Sequence, residues 1–189
     1  SMRIIGGFWR NRRLLVPTGQ HIRPTSDRAR ESLFAVLEHS KTFSCWPLAD
    51  ATVLDIFAGT GSLGLEALSR GAKKVIFIDD NATSVSTIDQ NLEAFKATKK
   101  AIVLCRDATR PGPYAANANL AFLDPPYRSS LAEQALSAFV KTGWLSPGAL
   151  AIIETDEKGS IVPPEQFTLL EKRKCGSATF WFLHYPTEA

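Results

Sequence analysis

Cysteine is scarce in this chain: three in 189 residues (Cys45, Cys105 and Cys175), widely separated and without any Cys-x-x-Cys spacing. An odd, scattered set excludes a disulfide framework and a thiolate zinc site, and it fits a reducing compartment. No apolar run approaches the roughly 20 residues of a membrane span. The opening Ser1-Met2-Arg3-Ile4-Ile5-Gly6 lacks the extended hydrophobic region of a secretory signal. A cytoplasmic protein with no membrane partner and no bound metal is therefore expected, and a monomer. Internal repeats and low-complexity tracts are absent too. With 44% hydrophobic and 22% charged residues, disordered and collagen-like classes are excluded.

Lysine is missing from residues 1–30, and so is nearly all acid. Seven arginines (Arg3, Arg10, Arg12, Arg13, Arg23, Arg28, Arg30) face the single acid Asp27, a net +6 that leaves the other 159 residues at −3. Such asymmetry predicts an arm for a polyanion on a near-neutral body. The guanidinium fork suits phosphate and can stack on bases, so Arg10, Arg12, Arg13, Arg23 and Arg28 are candidate contacts for such a polyanion. Phe8 and Trp9 lie among them, as contacts to bases or as anchors fastening the arm. Residues 3–5 and 13–16 read as short strands of a hairpin. A helix over 28–39 follows, capped by Thr25, Ser26 or Asp27. The organisation expected is a basic hairpin-and-helix arm over residues 1–45, part of which can act as a lid, and a main domain over 46–189.

From Thr52 onward, strands and helices alternate. Strands are predicted at 52–57, 74–78, 101–104, 120–123 and 149–154, with helices at 63–69, 83–95 and 131–141. A closing hairpin at 167–174 and 178–184 turns on Gly176-Ser177. The near-continuous apolar strands imply an α/β, Rossmann-like, doubly wound sheet of seven strands, mostly parallel, with an antiparallel C-terminal hairpin.

Gly59-Thr60-Gly61-Ser62-Leu63-Gly64 spells G-x-G-x-x-G between a strand and a helix, with Asp79 twenty residues after Gly59. That satisfies a dinucleotide fingerprint, so an NAD(P)-dependent oxidoreductase is one reading. Asp55 argues for another. A carboxylate on the first strand, just before the turn, disfavours a pyrophosphate and favours a cofactor with a cationic amino group. S-adenosyl-L-methionine has that group, a ribose for Asp79, and an adenine amine for Asp107. These three acids end three successive strands, at the carboxyl edge where open α/β folds bind ligands.

A fourth apolar strand is cut off by Asp124-Pro125-Pro126-Tyr127. The two prolines remove two backbone donors and stiffen the turn. What remains is a carboxylate, two open carbonyls and an aromatic ring: acceptors for the hydrogens of a planar NH2 group and a face on which its ring stacks.

Together these residues resemble a known group. Asp55-x-Phe57-x-Gly59-x-Gly61 with Asp124-Pro125-Pro126-Tyr127 looks like the amino-methyltransferases, which methylate exocyclic nitrogens of bases. Four stretches are similar to the bacterial RsmD family, 16S rRNA (guanine-966-N2) methyltransferases of the small ribosomal subunit. These are Arg3-Ile4-Ile5-Gly6-Gly7, Arg10-x-Arg12-Arg13-Leu14, Arg23-Pro24-Thr25-x-Asp27-Arg28-x-Arg30-Glu31 and Gly64-Leu65-Glu66-Ala67-Leu68-Ser69-Arg70-Gly71. The resemblance implies a class I methyltransferase domain using S-adenosyl-L-methionine, with Asp55, Phe57, Gly59, Gly61, Asp79 and Asp107 around the cofactor. It further implies Asp124, Pro125, Pro126 and Tyr127 as catalytic, and 16S rRNA in the small subunit as partner. The chain departs from the family pattern by carrying Asp79 where a glutamate is usual and Asn81 where an acid follows, so Asp80 is a second candidate for the ribose. Adenine-N6 or another nucleic-acid amino-methylation and a non-catalytic RNA-binding assembly factor are the remaining alternatives.

Overall fold

The computed structural model describes residues 2–17, 25–126 and 129–187. Chain order is α1 (Asp27–His39), β1 (Thr52–Ile56), α2 (Ser62–Ser69), β2 (Lys74–Asp79), α3 (Ala82–Ala94), β3 (Ala101–Cys105), β4 (Ala118–Leu123), α4 (Leu131–Lys141), β5 (Leu145–Asp156), β6 (Thr168–Cys175) and β7 (Ala178–His184), with short 3-10 turns at Lys41–Phe43 and Thr98–Lys100. The seven strands form one sheet in the order β3-β2-β1-β4-β5-β7-β6. Pairing is parallel from β3 to β5 and antiparallel for β5–β7 and β7–β6. The chain reverses its winding between β1 and β4, so their carboxyl ends open a crevice there.

The sheet is apolar on both faces because helices cover both. On one face, Val53, Val75, Phe77, Leu120 and Phe122 pack with α1, α2 and α3. On the other, Leu54, Ile56, Ile76, Ala121 and Leu123 pack with α4, through Ala135, Leu136 and Phe139, and with Trp144. Helix α1 starts one residue earlier than predicted, and its cap is Ser26, whose side chain accepts from the amide of Ala29 (3.1 Å).

Two elements differ from the sequence reading. The predicted turn at 146–148 lies inside β5: between Ala118↔Leu145 and Leu120↔Leu150 the ladder advances two residues on β4 but five on β5. The excess is a bulge, accommodated where Gly148 takes φ 87°. The N-terminal hairpin shrinks to one bridge, Arg3↔Arg13. Its second strand leaves its partner after Leu14, because the Leu15 amide and carbonyl instead meet the side chain of Asn91 on α3 (2.9 and 3.0 Å).

The arm is fastened to the body by buried charge. Glu66, fully buried on α2, accepts from the amides of Ile5 and Gly6 (2.9 Å each). Its carboxylate also meets Arg30 Nε (3.3 Å) and Arg70 Nε (2.9 Å). Arg30 is itself fully buried and donates to Asp27 and to the carbonyls of Arg3 and Thr25. Truncating one partner of such a buried pair typically costs about 3–5 kcal/mol, so this junction fixes the arm rather than tethering it.

Candidate active site

A cleft of about 1140 Å³ opens at the carboxyl ends of β1, β2, β4 and β5. Three elements build its floor. Strand β1 delivers Asp55, then turns sharply through Phe57 (φ 58°), Gly59 (φ 56°) and Gly61 (φ 78°). A bulky residue at positive φ is a strained conformation that the surroundings must enforce. Here the enforcement comes from Ala58 N–H on the carbonyl of Ile78 (3.0 Å) and Gly61 N–H on the carbonyl of Ala58 (2.7 Å). Gly64 is required for another reason: a Cβ there would lie 2.3 Å from Cε1 of Phe77, so only glycine lets α2 pack on β2 this closely.

The acids are tied to this frame. Asp55 is buried, and its Oδ2 accepts from the amide of Gly64 (2.9 Å), locking strand to helix across the turn. Burial pushes its carboxyl up to about 8; the Gly64 bond opposes this, and the charges of Asp79 and Glu154 add to it. Asp79 accepts from Gly59 (2.8 Å) and Asn81 (2.9 Å), and burial outweighs those bonds to raise its pKa. Asp80 is exposed on the cleft wall beside it. Asp107, exposed, is held below the usual carboxylate range by the Thr109 hydroxyl (2.7 Å) and then the Thr109 amide (2.8 Å), with Arg110 helping. Glu154 on β5 accepts from the hydroxyl of Thr25, which joins the segment just before α1 to the cleft's far wall.

At the end of β4, Asp124 and Pro125 are half-buried in the cleft wall, and the Asp124 amide continues the ladder to Ile56 (3.3 Å). The two proline carbonyls are not both open, contrary to the sequence reading: Ser129 Oγ donates to that of Pro126 (2.8 Å). Tyr127 lies outside the described residues, as does Arg23. Glu133, from the first turn of α4, reaches the same cleft and accepts weakly from Val162 N–H (3.3 Å), its other oxygen buried without a partner among the described residues.

Eight carboxyl side chains line the cleft against two cations, Arg106 and Lys158, among the described residues. That balance decides between the two readings of the glycine turn. A pyrophosphate would meet like charge on most sides, whereas a sulfonium or ammonium group would gain at each. Among the described residues, no three His, Cys, Asp or Glu side chains are grouped so as to hold a metal ion.

The arm separates into anchors and presented groups. Trp9 is buried against Phe95 (centroids 4.9 Å apart), and Arg12 stacks over the same ring (4.3 Å) while donating to the carbonyl of Ala94 (3.0 Å). Arg10, Arg13 and Arg28 are exposed. Sequence reasoning did not assign the junction residues Glu66, Ser69 and Asn91. The signal was present for Glu66: it sits between Leu65 and Ala67 in a helix buried all round, where a charge needs a partner.

The fold and the acid-lined cleft at its switch point define a class I methyltransferase. A family model described as "Conserved hypothetical protein 95" matches residues 2–184. The chain belongs to this family, the RsmD family that its motifs resemble. It is 37% identical over 185 residues to "Ribosomal RNA small subunit methyltransferase D" of Haemophilus influenzae, covering 95% of this chain and 92% of that one. Among solved structures, the yhhF protein of Escherichia coli matches with a TM-score of 0.81 at 35% identity over 99% of both chains. An RNA methyltransferase from Salinibacter ruber, solved in complex with S-adenosyl-L-homocysteine, shares the fold (TM-score 0.66) at 13% identity, covering 88% of this chain and 96% of that one.

Proposed function

We propose that this chain transfers the methyl group of S-adenosyl-L-methionine to the exocyclic N2 of a guanine in 16S rRNA of the small ribosomal subunit. The observation that carries the reading is the joining, in one cleft, of the acid-lined glycine turn with the Asp124-Pro125-Pro126 edge. The ribosomal RNA small subunit methyltransferases to which the chain is similar support the ribosomal substrate, and the cleft's negative balance fits a donor that is cationic and carries no phosphate. When bound, that donor supplies a methyl group already activated by a sulfonium.

The chain's own residues do the rest. Asp79 or Asp80 accepts from ribose hydroxyls, Asp107 from the adenine amine, and Phe57 walls the turn. Asp124 and the carbonyl of Pro125 each accept one N–H of the target amine. That pairing draws the nitrogen lone pair out of conjugation with the base and stabilises the positive charge that grows as the new bond forms. Holding donor and acceptor in line supplies much of the remaining acceleration. Tyr127 stacks on the base, which is swung out of any RNA helix.

Labelled methyl transfer to small subunits from cells lacking this protein, with the product base identified by mass spectrometry, tests the reading. N2-methylguanine is the expected product, and N6-methyladenine would overturn the base assignment. Asp124→Ala is expected to abolish transfer while binding of S-adenosyl-L-methionine stays within a few-fold; near-normal turnover would remove Asp124 from the mechanism. For the arm, each of Arg10, Arg13 and Arg28 changed to Gln is expected to lower the slope of log affinity against log salt by about one.

A further inference from the structure

Phe8 is the most exposed large apolar residue among those described, at 91%. Its neighbour Trp9 is buried, so the two aromatics have opposite fates within one turn. The turn that presents Phe8 is rigid. Its own amide donates to the carbonyl of Ser69 (2.7 Å), the Trp9 amide to Ser69 Oγ (2.9 Å), and the Gly6 amide to the buried Glu66 (2.9 Å). Gly7 has φ 78° and no room for a side chain, since a Cβ would fall 2.1 Å from the Ser69 carbonyl oxygen. Arg10 and Arg13 are exposed on the same arm.

We propose that Phe8 is a stacking platform for an unpaired base of the RNA substrate, remote from the base being methylated. The proposal rests on the RNA-modifying reading above and names a contact within it. A planar, exposed ring on a turn that cannot rearrange stacks a base with little loss of side-chain freedom. The neighbouring guanidinium groups hold that nucleotide's phosphates, which makes RNA, rather than an apolar protein surface, the occupant. Ser69 and the glycine turn are at opposite ends of α2, whose eight residues span about 12 Å. The stacked nucleotide is therefore separate from the one in the cleft. Its contact adds substrate affinity and leaves the chemical step untouched.

The test is steady-state methyl transfer together with equilibrium RNA binding, on protein-free 16S rRNA and on assembled subunits. Phe8→Ala is expected to raise KM for RNA on the order of tenfold, with kcat changed by less than about twofold. Affinity for S-adenosyl-L-methionine and the salt slope should be unchanged, and Phe8→Trp should restore KM. An unchanged KM and RNA affinity in Phe8→Ala overturns the proposal, as does a loss confined to assembled subunits, which would make a ribosomal protein the occupant. If the wild-type chain transfers no methyl group to RNA, the enzymatic reading fails. The Phe8 contact is then judged by RNA binding alone, where a loss in Phe8→Ala sustains it and no loss overturns it.

Discussion

Asp55, bonded to α2 through Gly64, and Glu66, two residues further along that helix, are both buried carboxylates, and they solve burial in different ways. Glu66 meets two guanidinium groups and two backbone amides. Asp55 has one amide and two nearby acids, and its pKa rises to about 8. A carboxylate whose charge is met on every side holds structure together. One left short of positive charge at a cleft wall is suited to a cationic ligand. The arm junction and the cleft are thus a saturated and an unsaturated version of the same problem.

The sharpest way to break the comparison is Glu66→Ala. It strands Arg30, which has no exposed surface, and frees two arm amides. A loss of about 3–5 kcal/mol in chemical unfolding is expected, with the arm released to proteolysis; a loss under about 1 kcal/mol would mean that the arm is held mainly by Trp9 and Asn91. Next in size is the pH response of Asp55. Its pKa rises from 3.8 to about 8 on folding, so between those values the folded protein keeps a proton that the unfolded chain has released. Stability must therefore fall as pH rises through that window, and flatten above it. For one proton the slope within the window is at most about 1.36 kcal/mol per pH unit. Asp55→Asn should flatten the thermal-unfolding profile between pH 5 and 8, with weaker binding of S-adenosyl-L-methionine; an unchanged profile would place the titration elsewhere.

Gly64→Ala tests the frame that both acids share. The new methyl group would press on Phe77 and shift the amide that holds Asp55. A cost of about 1–3 kcal/mol is expected, together with reduced cofactor binding in calorimetry. Smallest is Ser69→Ala, which removes an acceptor from the Trp9 amide and a donor to the Gly6 carbonyl. About 1 kcal/mol is expected, read as faster hydrogen exchange in residues 6–10 with little change in the cleft.

The sequence showed the sheet, its antiparallel end and the cleft acids because these follow from local signals: apolar runs, glycine and proline punctuation, and acids at strand ends. What it hid was non-local. Asp55's partner is a backbone amide nine residues on, and no side-chain pattern announces it. Arg30 looked like the other arm arginines. Yet it shares a helical face with Leu33, Phe34 and Leu37, all buried, and that spacing marked it as an interior residue. Phe8 and Trp9 could not be told apart as neighbours in a turn. Their difference depends on Phe95, more than eighty residues away in the chain, stacking on one of them.

The strand order has a consequence for synthesis. β7 follows both β5 and β6 in the chain, yet it lies between them, pairing with both. While the chain is still being translated, β5 presents a bare hydrogen-bonding edge and β6 has no neighbour. The sheet can close only after Ala178–His184 have left the ribosome. Until then β5, apolar on both faces, is the segment most exposed to pairing with other nascent chains. Premature termination inside β7 is accordingly expected to give aggregated product rather than a shortened enzyme.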